Sequence, residues 1–370
     1  MSRKNCVISP TAFKGTLTPY QAGRVMEREI ARLYPYWKIR LLPLADGGDG
    51  TLEVLMEALR GKWMHTSVRG PLGKKTRAAW GIVSKAGPLE GKTAIIEMAR
   101  ASGLALTKGR NRVMEVTSYG TGQLIKAAMN HRCRNILIGV GGTATAEGGA
   151  GALHALGLRY LDKKGKELRP MPRDLKKLWR INFSRFDHRL LGTNIYVLCD
   201  VVNPLLGRNG SARVFGPQKG ATPSQVKTLE RFLSHWSGFA MVQTKDKPGA
   251  GAAGALAFGL SAFARARLVR GSSFVINVLG WEEAAGQANV ILTGEGRLDK
   301  TSFSGKVIGE IVKRKHRASV FAICGSTSFS PRQLKRQGIS RVEEMGPYGL
   351  RKPEAALKKA TFRIFRRESS

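Results

Sequence analysis

Between Ile136 and Gly151 the chain reads Ile-Leu-Ile-Gly-Val-Gly-Gly-Thr-Ala-Thr-Ala-Glu-Gly-Gly-Ala-Gly. The apolar start, Ile136 to Val140, reads as a buried strand. The chain then turns abruptly to glycine, hydroxyl and a single carboxylate. Glycines let a backbone approach a ligand closely and adopt conformations other residues avoid. The turn predicts a following helix whose free N–H groups favour an anion, with Thr143 and Thr145 adding hydroxyls. The same grammar recurs: Ile39–Leu44 runs into Ala45-Asp-Gly-Gly-Asp-Gly-Thr51, Ile195–Cys199 into Asp200-Val-Val-Asn203, and Val290–Leu292 into Thr293-Gly-Glu-Gly-Arg-Leu-Asp299. Open α/β folds bind ligands beyond the carboxyl ends of their strands. Repeated acid- and glycine-bearing exits therefore point to a phosphate and metal site drawn from distant segments.

The rest of the chain supports an α/β class. Thr18-Pro-Tyr-Gln21 and Thr222-Pro-Ser-Gln225 each carry a threonine cap, a proline in the first turn and a glutamine returning as a capping box. Apolar residues at helical spacing follow both. Short β-like runs (Met64–Val68, Arg77–Val83, Thr93–Met98) mark a change of texture from about residue 63 to 115, and residues 162–193 read as loop and short helix. From Asn289 the strand–loop–helix rhythm returns. At 370 residues the chain has room for two domains of ordinary size.

Lys and Arg total 62 against 26 Asp and Glu, a net charge of +36. Such a balance invites a nucleic-acid reading, but the basic residues are spread along the chain. No RNP aromatic motif, zinc-finger spacing or heptad accompanies them. The excess reads as a solvated basic surface that also draws in anionic substrates. No run reaches the ~18 apolar residues of a membrane span, and no signal-like apolar core follows Met1, so the expected location is the cytoplasm. Cys6, Cys133, Cys199 and Cys324 lie far apart in or beside strand-like runs. They read as buried, unpaired thiols.

Several motif readings fail. Gly249-Ala-Gly-Ala-Ala-Gly254 matches a dinucleotide fingerprint in letters only: it follows Lys247-Pro248 rather than a strand, and lacks an acid about 20 residues on. Close packing by small residues is its expected role. Gly91-Lys92-Thr93 lacks the first glycine of a phosphate-binding loop. There is no GxSxG, HExxH or protein-kinase signature. The acids Asp46, Asp49, Asp200, Glu295 and Asp299 are harder to set aside, because each stands at a Gly- or Asn-rich strand exit. The competing role for any one of them is to cap the next helix. Asp187, in a polar stretch with no glycine cluster, reads as uninvolved.

Taken in order, these segments resemble the bacterial glycerate kinase family, type I. The resemblance runs through Ser9-Pro-Thr-Ala-Phe-Lys-Gly15, Ala45–Thr51, Ile96-Glu-Met-Ala99, Tyr119-Gly-Thr-Gly122 and Gly141-Gly-Thr-Ala-Thr145. It continues through Cys199-Asp-Val-Val-Asn-Pro-Leu205, Phe215-Gly-Pro-Gln-Lys-Gly-Ala221, Pro248–Gly254 and Thr293–Asp299 with Gly305-Lys306. Two departures stand out. Thr11-Ala12 replaces the family's Asp-Ser, and Thr143-Ala-Thr-Ala-Glu147 replaces Ser-Ala-Thr-Asn-Asp, keeping the charge one carbon further out.

The resemblance implies two α/β domains: a Rossmann-like domain from both chain ends, 1–62 plus 287–370, and an inserted α/β domain, 63–286. It implies ATP-dependent phosphorylation of D-glycerate, with 2-phosphoglycerate the favoured product. The alternatives are a kinase of a related small hydroxy acid, or a catalytically silent basic nucleic-acid-binding protein. Phosphoryl transfer needs positioning and charge neutralisation more than covalent help. Gly141, Gly142, Thr143 and Thr145 are then the expected phosphate cradle, with Glu295 a further cofactor contact. Asp200 is the expected Mg²⁺ ligand, since that ion takes few carboxylates and keeps waters. Asp46 or Asp299 would accept the glycerate hydroxyl proton. Arg297 and Lys14 would hold the substrate carboxylate or the transferring phosphoryl group, Arg with bidentate geometry. The oligomeric state is not legible. If the charge is only surface composition, duplex DNA should bind weakly and without sequence preference. Sequence-selective binding at ~10⁻⁸ M in ~150 mM salt would overturn that expectation.

Overall fold

The structure is a computed structural model and describes residues 4–13 and 15–366. Its strands, in chain order, are β1 (Asn5–Pro10), β2 (Lys38–Leu41), β3 (Lys62–Arg69), β4 (Lys75–Val83), β5 (Thr93–Glu97), β6 (Asn135–Gly139), β7 (Arg159–Leu161), β8 (Arg180–Asn182), β9 (Asn194–Leu198), β10 (Arg267–Val269), β11 (Val290–Leu298), β12 (Ser319–Thr327) and β13 (Arg341–Glu344). The chain forms two compact units: Met1–Asp46 with Glu53–Ala58 and Ser272–Ser370, and Gly47–Leu52 with Leu59–Gly271.

The first unit holds a fully parallel sheet in the order β13-β12-β11-β1-β2. Numbered within the unit this is 2-1-3-4-5, the flavodoxin-like order among doubly wound sheets, with its switch point between β1 and β11. Parallel strands are covered on both faces and therefore read as continuous apolar runs. Ile8, Leu292 and Ile323 are fully buried here. Helix Pro19–Leu33 covers one face with Ala22, Met26 and Ile30, and packs with helix Pro353–Arg366 through Leu357 and Phe365. Its expected capping box is present: Thr18 Oγ1 accepts from the Gln21 N–H at 3.2 Å, and Gln21 accepts from the Thr18 N–H at 2.9 Å.

The second unit is built on a mixed sheet, β10-β9-β6-β5-β4-β3, parallel from β10 to β5 and antiparallel through β4 and β3. The change of texture from residue 63 is this antiparallel edge. Every residue of β5 and β6 is buried, as the apolar run at Ile136 predicts. The second capping box, Thr222 with Gln225, opens helix Pro223–Ser237, whose Leu229, Phe232, Leu233 and Trp236 enter the core.

Three segments differ from their expected form. The run Ile39–Leu44 stops as a ladder at Leu41, although Leu42 and Leu44 still donate to β1 carbonyls (Ile8 and Pro10) at 2.8 and 3.0 Å. Residues 162–193 contain β8, which pairs with β7 in a two-stranded antiparallel sheet. Residues 272–286 group with the first unit rather than the second. Helices Gly271–Val278 and Trp281–Gly286 supply Trp281, whose Nε1 donates to Ser9 Oγ at 2.7 Å, and Ser272, whose Oγ donates to the Gly305 carbonyl at 3.1 Å. Among the described residues no helix is long and apolar enough to cross a membrane.

All four cysteines are free and buried. Burial pushes the Cys6, Cys199 and Cys324 thiols up to about 12 and Cys133 up to about 11. Thiolate is the reactive form, so alkylation of the native protein should be slow. Denaturation without reductant should expose four modifiable thiols by mass spectrometry. A stable disulfide, or fast native labelling, would contradict this packing.

Candidate active site

The glycine-rich exit of β6 is shaped by backbone lying against backbone. The Gly141 N–H donates to the Gly47 carbonyl at 3.2 Å, bringing the Gly47–Asp49 turn across the ends of β6 and β9. At Gly142, φ is +66°, and an added Cβ would stand 2.8 Å from Asp49 Oδ1. Glycine is favoured there by conformation, since the near atom is the tip of an exposed side chain that can move aside. Gly142 and Asp49 are exposed and form the open lip of the loop. Thr143 and Thr145 do not share that exposure. Both are buried, their hydroxyls lie 3.0 Å apart, and Thr143 Oγ1 accepts from the Thr145 N–H at 3.2 Å. Thr145 therefore braces the loop from within.

Beneath the loop lies a buried polar layer that the sequence reading did not assign. Lys219, 3% exposed, donates from Nζ to the Thr145 carbonyl at 2.6 Å. Burial lowers its pKa to about 8, with the charge of Glu147 acting the other way. Glu147 is fully buried and accepts from the Ser118 N–H at 2.7 Å, from the Ser118 hydroxyl and from the Gly151 N–H at 3.3 Å. Burial raises its pKa, and these bonds oppose the rise. Its Oε2 has no partner among the described residues. Asn111 Nδ2 reaches the Ala144 carbonyl at 3.3 Å and the Lys219 carbonyl at 2.6 Å. The available signals were a lone acid among glycines at Glu147 and a lysine between glycines at Lys219. Neither local pattern reveals burial.

The segment Gly249–Gly254 packs as small residues. Residues 253–255 turn left-handed before helix Ala252–Ala264 continues, and an added Cβ on Gly254 would stand 1.8 Å from the Thr145 carbonyl oxygen. The Gly148 N–H donates to the Gly254 carbonyl at 3.0 Å. Thr145 is thus gripped by Lys219 and backed by Gly254.

Asp200 follows β9 and is half-buried. It lines a cleft of about 560 Å³ in the second unit together with Thr244, Lys247, Arg265, Arg267 and Arg270. Thr244 Oγ1 is buried there without a partner among the described residues. No group of three or more His, Cys, Asp or Glu suited to a metal occurs among the described residues.

In the first unit the expected residues cluster where β1 leaves β11. Their ladder ends at Pro10 opposite Gly294, and Thr11 closes it with bonds from its N–H and Oγ1 to the Gly294 carbonyl at 2.8 and 3.1 Å. β11 runs on, paired only with β12, to Leu298 opposite Thr327. Glu295 is the first residue past the split. Burial raises its pKa to about 7. A hydrogen bond from Ser302 and the charge of Lys306 oppose that rise, while Asp299 and Asp46 add to it. Its Oε1 is buried without a partner among the described residues.

Asp299 has the capping role. Its Oδ1 accepts from the Thr301 N–H at 2.8 Å and Thr301 Oγ1 at 2.7 Å, at the start of a 3₁₀ turn, and these bonds lower its pKa. Arg297 is 72% exposed and lies 3.6 Å from Asp299 Oδ2. Lys306 Nζ donates to Thr301 Oγ1 at 2.9 Å. Asp46 is half-buried. Lys14 lies outside the described residues. Asp187 is not idle: it caps the 3₁₀ turn His188–Gly192 and holds Arg189 at 2.7 Å.

With this geometry in hand, the chain matches the model of the glycerate kinase family over residues 6–368. The chain belongs to the glycerate kinase family. It is an enzyme, a kinase. It is 40% identical to the glycerate 2-kinase of Escherichia coli (strain K12), over 91% of this chain and 89% of that one. It is 37% identical to the glycerate kinase of Bacillus subtilis (strain 168), over 92% and 90%. Among solved structures it resembles the Salmonella typhimurium LT2 protein assigned as glycerate kinase 2, with a TM-score of 0.81 at 34% identity over 97% of this chain and 96% of that one.

The family's glycine-rich segments therefore have a concrete role in this kinase, and Gly254 tests it. Gly254→Ala forces a Cβ into the Thr145 carbonyl. It should cost about 3 kcal/mol or more in denaturant unfolding, at the upper end of overpacking. Gly280→Ala is the comparison, with φ +59° but nothing within 4 Å. It should cost only the left-handed penalty of about 1–2 kcal/mol. Equal losses would mean that Gly254 is needed for its φ alone.

Proposed function

We propose that this kinase phosphorylates D-glycerate with ATP and Mg²⁺, yielding 2-phosphoglycerate. Family membership supports glycerate as acceptor, and the name of the Escherichia coli relative supports the 2-phosphate. The observation that carries the donor side is the Asp200 cleft. One carboxylate stands among Lys247, Arg265, Arg267 and Arg270, with the hydroxyl of Thr244, which has no partner among the described residues. This donor set suits a magnesium-bound polyphosphate: a single carboxylate meets the metal's need for few protein ligands, and the cations meet the phosphate oxygens. Asp200 would hold the ion, which would supply charge neutralisation for the transferring phosphoryl group. The volume, about 560 Å³, falls in the range of small-ligand pockets.

Gly141 and Gly142 offer backbone at the open lip of the β6 exit, held from below by Thr143, Thr145 and Lys219. The exposed guanidinium of Arg297 is suited to the glycerate carboxylate. Asp299, bound to Thr301, orders the turn that carries Ser302 and leads to Lys306.

The experiment is a coupled ADP-release assay with D-glycerate, the product resolved by NMR, run beside a panel of small hydroxy acids. D-glycerate should be the preferred acceptor and the 2-phosphate the product. Preference for another acid, or no turnover together with strongly salt-dependent nucleic-acid binding, would sink the proposal. Asp200→Asn should lower kcat by ~10²-fold or more, the scale for one electrostatic group in a preorganised site, with the melting temperature nearly unchanged. Near-normal turnover of that variant across a Mg²⁺ titration would remove Asp200 from the site.

A further inference from the structure

We infer that Glu295 is the general base of the reaction, its carboxylate taking the proton of the acceptor hydroxyl. The inference rests on the glycerate kinase reading above and names a group that family membership alone does not assign.

Position is the first argument. In a doubly wound sheet the strands diverge at the switch point, and the crevice beyond their carboxyl ends receives ligand. Here the divergence is explicit: β1 is bonded to β11 as far as Gly294, and Glu295 is the next residue. A side chain at that step borders the crevice without needing a long loop to bring it there.

Satisfaction is the second. Buried carboxylate oxygens in folded proteins are almost always hydrogen-bonded. Ser302 lies close enough to favour the ionised form of Glu295, yet Oε1 is buried with no partner among the described residues. An acceptor without a donor is the arrangement a base needs before its substrate hydroxyl arrives.

The electrostatic surroundings also single out Glu295. The charged and titratable groups around Glu295 are Asp46 before the Gly47 turn, Asp299 with Arg297 on its own strand exit, Lys306 before helix Val307–Arg314, and Cys324 opposite it on β12. Burial is the largest influence and brings Glu295 to about 7, whereas Asp299 is held below the usual carboxylate range by Thr301. A base is most effective with a pKa near the working pH. Of these two acids Glu295 is tuned for proton transfer and Asp299 for capping.

The step balances. The acceptor oxygen forms a bond to the terminal phosphorus of the nucleoside triphosphate, and the bond from that phosphorus to its bridging oxygen breaks. The electron pair of the broken bond leaves with the nucleoside diphosphate. The hydroxyl proton passes to Glu295 Oε1 and from there to solvent.

Glu295→Gln tests this with three readouts on the full chain. First, kcat with D-glycerate should fall ~10²–10⁴-fold, the usual contribution of a positioned base. Binding of a fluorescent ATP analogue should stay within about twofold of wild type. Second, wild-type kcat should rise with pH through a midpoint near 7, and that limb should vanish in the variant. Third, the melting temperature at about pH 8 should rise or hold. Burial raises the folded-state pKa from an ordinary 4.5 to about 7, so the folded protein keeps a proton that the unfolded chain releases. Stability falls as pH climbs through that window, and glutamine removes the cost. Glu295→Asp should recover part of the activity and keep a pH limb. A kcat within about threefold of wild type in the glutamine variant overturns the inference. So does an unchanged pH limb, or a lower melting temperature with nucleotide binding lost in parallel, which is the pattern of a structural residue. Wild-type protein inactive on every hydroxy acid overturns both this inference and the kinase reading. An active glutamine variant beside an active wild type overturns Glu295 alone.

Discussion

The parallel pairing of β1 with β11 decides where polar groups can gather in the first unit. Five registered pairs, Cys6↔Val290 to Pro10↔Gly294, bury the strands so completely that their interior carries no room for charge. The ladder must nevertheless end, and at its end the backbone donors and acceptors need new partners. Thr11 closes the last carbonyl on one side, while on the other β11 continues against β12. A glutamate is tolerable at that one step because one strand has left. The same logic holds at the end of β6, where the Gly47–Asp49 turn fills the space and glycine is the side chain small enough to let it.

Surface charge and buried charge follow different rules in this protein. The excess of 36 positive charges lies mostly in water, where exposed ion pairs contribute little. The consequential charges are few and desolvated. Lys219 and Glu147 sit in the second unit within electrostatic reach of each other, and each shifts toward its neutral form through burial. Lys219 nevertheless keeps a charge-assisted bond to the Thr145 carbonyl, the kind worth roughly twice a neutral one. The price of burying these groups is consistent with a loop that must hold one conformation, since a partly satisfied polar network is a costly way to obtain stability alone.

Local grammar made much of this legible. The run Ile136–Val140, the two capping boxes and the β-like texture after residue 63 depend on neighbours within a few residues, and the structure contains each. The acids at strand exits were legible as a class but not as individuals. Asp299 and Glu295 stand four residues apart in one glycine-rich segment, and only tertiary packing separates a capped, exposed-side carboxylate from a desolvated one. Thr145 reads as a phosphate contact because its hydroxyl lies in a glycine loop. It is instead turned inward, because Gly254 and Lys219 come from segments more than 70 residues away. The small sheet of β7 and β8 escaped for a simpler reason: strands of three residues carry too little periodicity to separate from loop.

The contrast between Glu295 and Asp299 also bears on how such a site is maintained. A carboxyl group raised to about 7 by burial costs the folded state free energy at every pH above its ordinary value. Surrounding structure must offset that cost, and the bonds that do so are visible. Asp299 binds Thr301 and, through its own N–H, Ser302 Oγ at 3.1 Å, fixing the turn that places Ser302 against Glu295. Lys306 is tied to the same Thr301 and supplies the opposing charge. One acid is thus spent on geometry so that its neighbour can remain partly unsatisfied. Exchanging the two would place a longer side chain at the cap, where the Thr301 bonds call for a short one, and a carboxylate one carbon further back at the crevice, even though the composition of the segment would be unchanged.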